Sequence, residues 1–159
     1  MTAKFKTLVI LALLPLFFGA STPVQLSADE MLQSDLLKME EEVLVYVNEY
    51  RASNGKPKLA MNEFMRGQCR DHSTKMASGA TSFGHDGFDE RTDLIWAQVG
   101  SGAIAENVAY NYSGAREAVN QWINSTGHRE NMLGDYTLTG IGIYKTGNQI
   151  YFTQMFLRK

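Results

Sequence analysis

A single cysteine, Cys69, stands in a chain of 159 residues. One thiol cannot form an internal bridge, so the fold has to rest on its hydrophobic core. Cys69 falls on an apolar helical face and reads as a small buried hydrophobe. A nucleophilic thiol would need an activating base and partial exposure, and neither is visible. Basic clusters are missing too. The 15 Lys and Arg are outnumbered by 17 Asp and Glu, and no basic stripe forms, so no nucleic-acid partner is expected. The one marked apolar run, Leu8 to Phe18, is interrupted by Pro15. It falls short of the roughly 20 residues that span a bilayer, so no transmembrane anchor is expected. No cysteine follows it closely enough to take a bacterial-type lipid. Internal repeats and low-complexity segments are absent, and the length suits one domain. No helix carries two histidines four apart with a glutamate between them, which removes that metalloprotease arrangement.

What is present begins with an address. Lys4 and Lys6 precede the apolar run, and Gly19, Ala20 and Ser21 follow it. Charged start, apolar middle and small-residue end describe a secretory signal peptide over residues 1–21, with Ala28 as the alternative cleavage point. The mature protein is therefore expected outside the cell or in a periplasm. Residues 22–40 read as a linker and the start of the first helix, and residues 41–159 as the domain.

Periodicity predicts a long helix from Asp29 to Ser53, with Leu36, Met39, Val43, Val47 and Tyr50 as its core stripe. A second helix is capped by Asn62 and stops at Gly79. A helical turn covers Glu90 to Gln98, and Ala103 to Tyr110, which alternates loosely, reads as extended or irregular. Ser113 is placed as the cap of the next helix. The apolar stripe of that helix includes Ala118, Val119, Trp122 and Ile123, and Gly127 is read as its stop. Thr139 to Tyr144 and Gln149 to Leu157 form a hairpin across the turn Lys145 to Asn148. Both faces of the last strand carry bulky residues, so helices should cover the sheet on both sides. Gly140 and Gly142 would admit another segment closely.

Polar residues in unusual settings are the site candidates. His128 follows the break at Gly127, beside the helix end. His85 and Asp86 sit between glycines in TSFGHDG, a tight loop that presents polar side chains. Glu106 interrupts the apolar run AIAENVAY; such a carboxylate is either solvated or buried with a partner. His72 lies on an apolar stripe and reads as a hydrogen-bonded core residue. Asn48 and Arg51 share a face at the end of the first helix and read as holding the following loop.

The segments VNEYRASNGKPKL, CRDHSTKMA, FGHDGF, AENVA, WINSTGHRENML and GIGIY followed by YFTQMF resemble, in order, those of the CAP superfamily, also called the SCP domain. The resemblance covers Val43 to Phe156, and the lack of disulfides makes it look like the bacterial branch. It implies an α+β fold, a three-layer α-β-α sandwich with a small, mostly antiparallel sheet. It further implies a cleft lined by His85, His128 and Glu106. A second glutamate found in many animal members is missing here, and Ser125 is the candidate in its place. Asn48, Arg51, His72, Asn107, Trp122, Arg129, Asn131 and Gln154 are carried over as residues that shape the cleft.

His85, His128 and Glu106 are a chemically sensible set for zinc or another divalent metal, because three protein ligands plus water is an open zinc geometry. Three functions fit. One is a secreted monomer that binds a small-molecule, lipid or cell-envelope ligand. The second is a hydrolase using metal-bound water, or Ser125 activated by His128. The third is an envelope-associated structural module. The balance leans away from an enzyme.

Overall fold

The computed structural model describes residues 26–159, so the leader and its cleavage point at Ser21 lie outside the described residues. Among those residues are five helices and four strands. Helix α1 (Ala28–Ser53) starts at a capping box: Ser27 accepts from the Glu30 amide, and Glu30 accepts from that of Ser27. Its stripe is the expected one, with Leu36, Val43 and Val47 buried. Strand β1 is short (Ala60–Met61). Helix α2 (Glu63–Ser78) is capped by Asn62 and ends at left-handed Gly79. Helix α3 (Phe88–Gln98) begins two residues before the predicted turn and is followed by β2 (Ile104–Tyr110). Helices α4 (Ala115–Asn124) and α5 (Thr126–Leu133) precede β3 (Leu138–Thr146) and β4 (Gln149–Leu157).

The strands form one sheet in the order β1-β3-β4-β2. Only the two-residue pairing of β1 with β3 is parallel; the other two pairings are antiparallel. The β3–β4 hairpin closes with Thr146 opposite Gln149, so its turn is the pair Gly147-Asn148, tighter than the four residues expected. Gly147 takes φ 56°, the left-handed conformation such a turn requires.

Alternation along β4 sends Phe152 and Phe156 into a core with Val43, Val47 and Trp122 of α1 and α4. Met155 and Leu157 go the other way, against Met65, Cys69 and Ile95 of α2 and α3. The sheet is thus covered on both sides, and the fold is the α-β-α sandwich. Helix α2 lies almost on the backbone of β3. A Cβ at Gly142 would stand 2.0 Å from the Arg70 amide nitrogen, and one at Gly140 2.3 Å from the Met65 carbonyl carbon. A buried carboxylate pins the same contact: Glu40 of α1 accepts from Arg70 and from the Ile143 amide of β3.

Two local expectations are corrected. Ser113 is not the helix cap: Gly114 occupies that position, and the Ser113 amide and hydroxyl donate to Glu117 instead. Gly127 is not a helix stop. The break falls at Ser125, whose extended backbone (φ −97°, ψ 123°) separates α4 from α5. One extended residue suffices to end a helix, so no left-handed glycine is needed. His128 consequently sits in the first turn of a second helix rather than in a loop.

Candidate functional site

The site is built where α3, β2 and α5 meet the loop after α2. Glu106 lies in the middle of β2 with only 1% of its side chain exposed. Its partner is Arg91 of α3, which donates from Nε and Nη2 to both carboxylate oxygens at 2.7–2.9 Å. Arg91 Nη1 also donates to the Asp86 carbonyl (2.8 Å) and to His72 Nδ1 (3.1 Å). His72 in turn donates from Nε2 to the Gly84 carbonyl at 2.8 Å. The loop carrying His85 is therefore held at residues 84 and 86 by one buried network. Burial, and the Arg91 guanidinium beside it, hold the His72 pKa below the ordinary histidine value. A neutral His72 can accept from Arg91 and donate to Gly84 at once.

His85 is half exposed and donates from Nδ1 to Glu106 Oε1 at 2.9 Å. His128 is tied back through the same ring atom: its Nδ1 is hydrogen-bonded to Ser125 Oγ at 2.9 Å. Burial, and then the neighbouring His85, lower the His128 pKa, so this ring is neutral near pH 7. Each imidazole thus uses Nδ1 for an intramolecular bond and leaves Nε2 without a partner among the described residues.

Both rings line one cavity of about 480 Å³. Ser125 and Gln121 share its wall with Phe83, Tyr110, Tyr112 and Trp122. Glu106 does not. Its two oxygens face Arg91 and the back of the His85 ring, and among the described residues no group of three or more His, Cys, Asp or Glu is arranged to hold a metal ion. Of the expected three-ligand set, only His85 and His128 lie in the cavity wall. A carboxylate that already takes three guanidinium hydrogen bonds would have to leave a buried cation unpaired to reach a metal. It stands instead behind His85, in the position of a carboxylate that orients a histidine ligand.

The remaining candidates hold the scaffold, and of them only Trp122 also lines the cavity. The Asn107 side chain donates to the His128 carbonyl (3.1 Å) and accepts from Asn131 (2.9 Å), which docks α5 on β2. Trp122 fixes α4 by donating to the Val108 carbonyl, and Arg129 donates to that of Ile123. Arg51 is fully buried, and four carbonyls accept from it: Pro57, Met132, Gly134 and Tyr136. Asn48 exchanges two hydrogen bonds with Leu59. Gln154 donates only to Thr139, in the middle of the sheet, and does not line the cavity. Arg91 is the residue that sequence reasoning missed. Glu106 inside an apolar run left a buried partner open as one of two readings, but nothing in the order of residues says which of 15 Lys and Arg would supply it.

The model of the cysteine-rich secretory protein family, CAP, matches residues 44–156. Among solved structures, an extracellular SCP-domain protein from Bacillus anthracis is similar at 28% identity with a TM-score of 0.73, over 86% of this chain and 45% of that one. An outer surface protein from Borrelia burgdorferi is similar in fold, with 20% identity and a TM-score of 0.65 over 77% of this chain and 93% of its own. The uncharacterized membrane protein YlbC of Bacillus subtilis is 44% identical over 55 residues, 34% of this chain and 15% of that protein. The chain thus spans less than half of two of these relatives. No described helix is long and apolar enough to cross a membrane.

Proposed function

The chain belongs to the cysteine-rich secretory protein (CAP) family, and from that premise we propose that it is an exported binding module whose cleft holds a divalent metal on two imidazoles. The export half rests on the leader and on relatives described as extracellular or outer-surface proteins. One observation carries the metal half. Glu106 and Ser125 each engage the Nδ1 of a histidine, and both rings line the same cavity. Neutral imidazole with its second nitrogen fixed by an outer partner is the form that binds transition metals. His85 and His128 would be the protein ligands, with Glu106 and Arg91 orienting the first and Ser125 the second. A bound metal would supply a Lewis-acidic point for an oxygen or nitrogen of the ligand. Calorimetric titration with zinc tests this: the wild type should bind with a stoichiometry near one, and His85→Ala and His128→Ala should each lose most of the affinity. Equal titration curves for all three proteins would dismiss a histidine site.

The bond between Ser125 and His128 favours one second reading. A hydroxyl within reach of a neutral imidazole is the minimal arrangement for nucleophilic acyl transfer. Oγ would attack an acyl carbon as its proton passes to Nδ1. The bond to the leaving group would break as that group takes the proton back from Nδ1. Water, giving a proton to Nδ1, would later release the acyl group and restore the Ser125 hydroxyl. A fluorophosphonate probe should then add to Ser125 in the wild type and not in His128→Ala. An unlabelled wild type removes the hydrolase and leaves the binding module.

A further inference from the structure

The cavity that the imidazoles line also has an aromatic wall. Phe83, Tyr110, Tyr112 and Trp122 all line it. Two of them are not core residues: Phe83 is 50% exposed and Tyr110 39%. They are nonetheless ordered into a row. The Phe83 and Tyr110 rings lie 4.8 Å apart, tilted by 48°, and Tyr110 stacks on Tyr151 at 5.7 Å and 26°. The chain turns at the end of this row through Asn111, which sits between two of the lining tyrosines. Asn111 has φ 63°, the one positive φ outside glycine among the described residues. Asparagine tolerates that conformation better than most residues, and its amide is secured by the Ile150 carbonyl at 3.0 Å. Unusual backbone of this kind gathers at ligand clamps.

The polar side of the wall completes a chemical signature. Gln121 and Ser125 can each donate and accept hydrogen bonds, each imidazole adds its unengaged Nε2, and no Lys, Arg, Asp or Glu belongs to the cavity lining. Such a site offers flat, electron-rich faces to polarised C–H groups and mixed donors and acceptors to hydroxyls. A lipid tail would leave the polar groups unpaired, and an ionic ligand would find no oppositely charged Lys, Arg, Asp or Glu side chain in the wall. A neutral sugar ring presents a C–H face and a hydroxyl edge, and it satisfies both sides at once. The volume, about 480 Å³, lies within the range of small-ligand pockets.

We infer that this cleft binds an uncharged segment of a glycan, with a sugar ring on the Phe83–Tyr110 shelf and its hydroxyl edge toward Gln121, Ser125 and the imidazoles. The inference rests on reading the cavity as a binding cleft, but it does not require the metal. The chain has two tryptophans, and Trp96 is 41% exposed outside the cavity wall. Trp96→Phe therefore leaves Trp122 as the sole reporter. Neutral N-acetylglucosamine and glucose oligomers are titrated into this variant, beside an acidic oligosaccharide and mixed tripeptides. Emission and calorimetry are recorded on the same samples. A neutral oligomer is expected to bind saturably, and Phe83→Ala and Tyr110→Ala each to weaken it at least tenfold without changing the zinc isotherm. Phe83 is a half-exposed loop residue, so its variant reports on binding even if Tyr110→Ala folds poorly. Saturable binding of the acidic oligomer or the peptides alone, or no binding by any probe, overturns the inference. If zinc still binds in either case, the metal reading survives it.

Discussion

Replacing Arg91 by alanine is the sharpest perturbation of the site's foundation. Arg91 and Glu106 are 8% and 1% exposed, and three hydrogen bonds of 2.7–2.9 Å join them. Arg91→Ala leaves the carboxylate buried with only His85 beside it. Removing one partner of a buried ion pair destabilises by about 3–5 kcal/mol, because the other charge stays desolvated. Arg91 also carries His72 and the Asp86 carbonyl, so the upper part of that range is expected. A domain of this size holds about 5–15 kcal/mol in total, so the variant should fold but melt roughly 10–20 °C lower. Urea titrations followed by circular dichroism measure this. The double variant Arg91→Met with Glu106→Gln should regain part of the stability, since the charge is gone. An Arg91→Ala protein within about 1 kcal/mol of wild type would mean that Glu106 is not held as described.

Other consequences follow from the same geometry. Gly142→Ala forces a methyl group into the α2 backbone at Arg70 and should destabilise by at least the about 1–3 kcal/mol typical of overpacking, read as a lowered denaturation midpoint. His72 and His128 both have pKa values lowered by burial, so the unfolded chain binds more protons below the ordinary histidine value of about 6.5. Their contribution is therefore present above that pH and is lost as the pH falls through the folded-state values; the slope of stability between pH 7 and 5.5 should be positive and become shallower in His72→Gln. Cys69 is fully buried, and its thiol pKa is raised by burial, so iodoacetamide should leave it unmodified in the native protein and label it in urea. Labelling at native conditions would show that α2 opens from the sheet.

The layered architecture was legible because periodicity survives translation into packing. The bulk on both faces of β4 announced the two helical layers, and Gly140 and Gly142 announced the close approach of another segment, which the structure identifies as α2. Local chemistry was less transparent. Ser125 ends α4 by backbone conformation alone, and a glycine two residues on drew the attention. The metal set suffered from a similar ambiguity. Glu106 could be read as a ligand or as a buried partner, and only the position of Arg91, 15 residues away and on another element, decides between them. The bond between Ser125 and His128 depends on the one extended residue that separates two helices, so their spacing in sequence carried no geometry.

The chain has three histidines, and their side-chain nitrogens resolve the central claim directly. Long-range proton–nitrogen correlation spectra of the neutral protein should find His85 protonated on Nδ1 and His72 on Nε2. On adding zinc, the Nε2 signals of His85 and His128 should move together while both signals of His72 stay in place. A His85 protonated on Nε2, or zinc shifts at His72 in place of His128, would contradict the account.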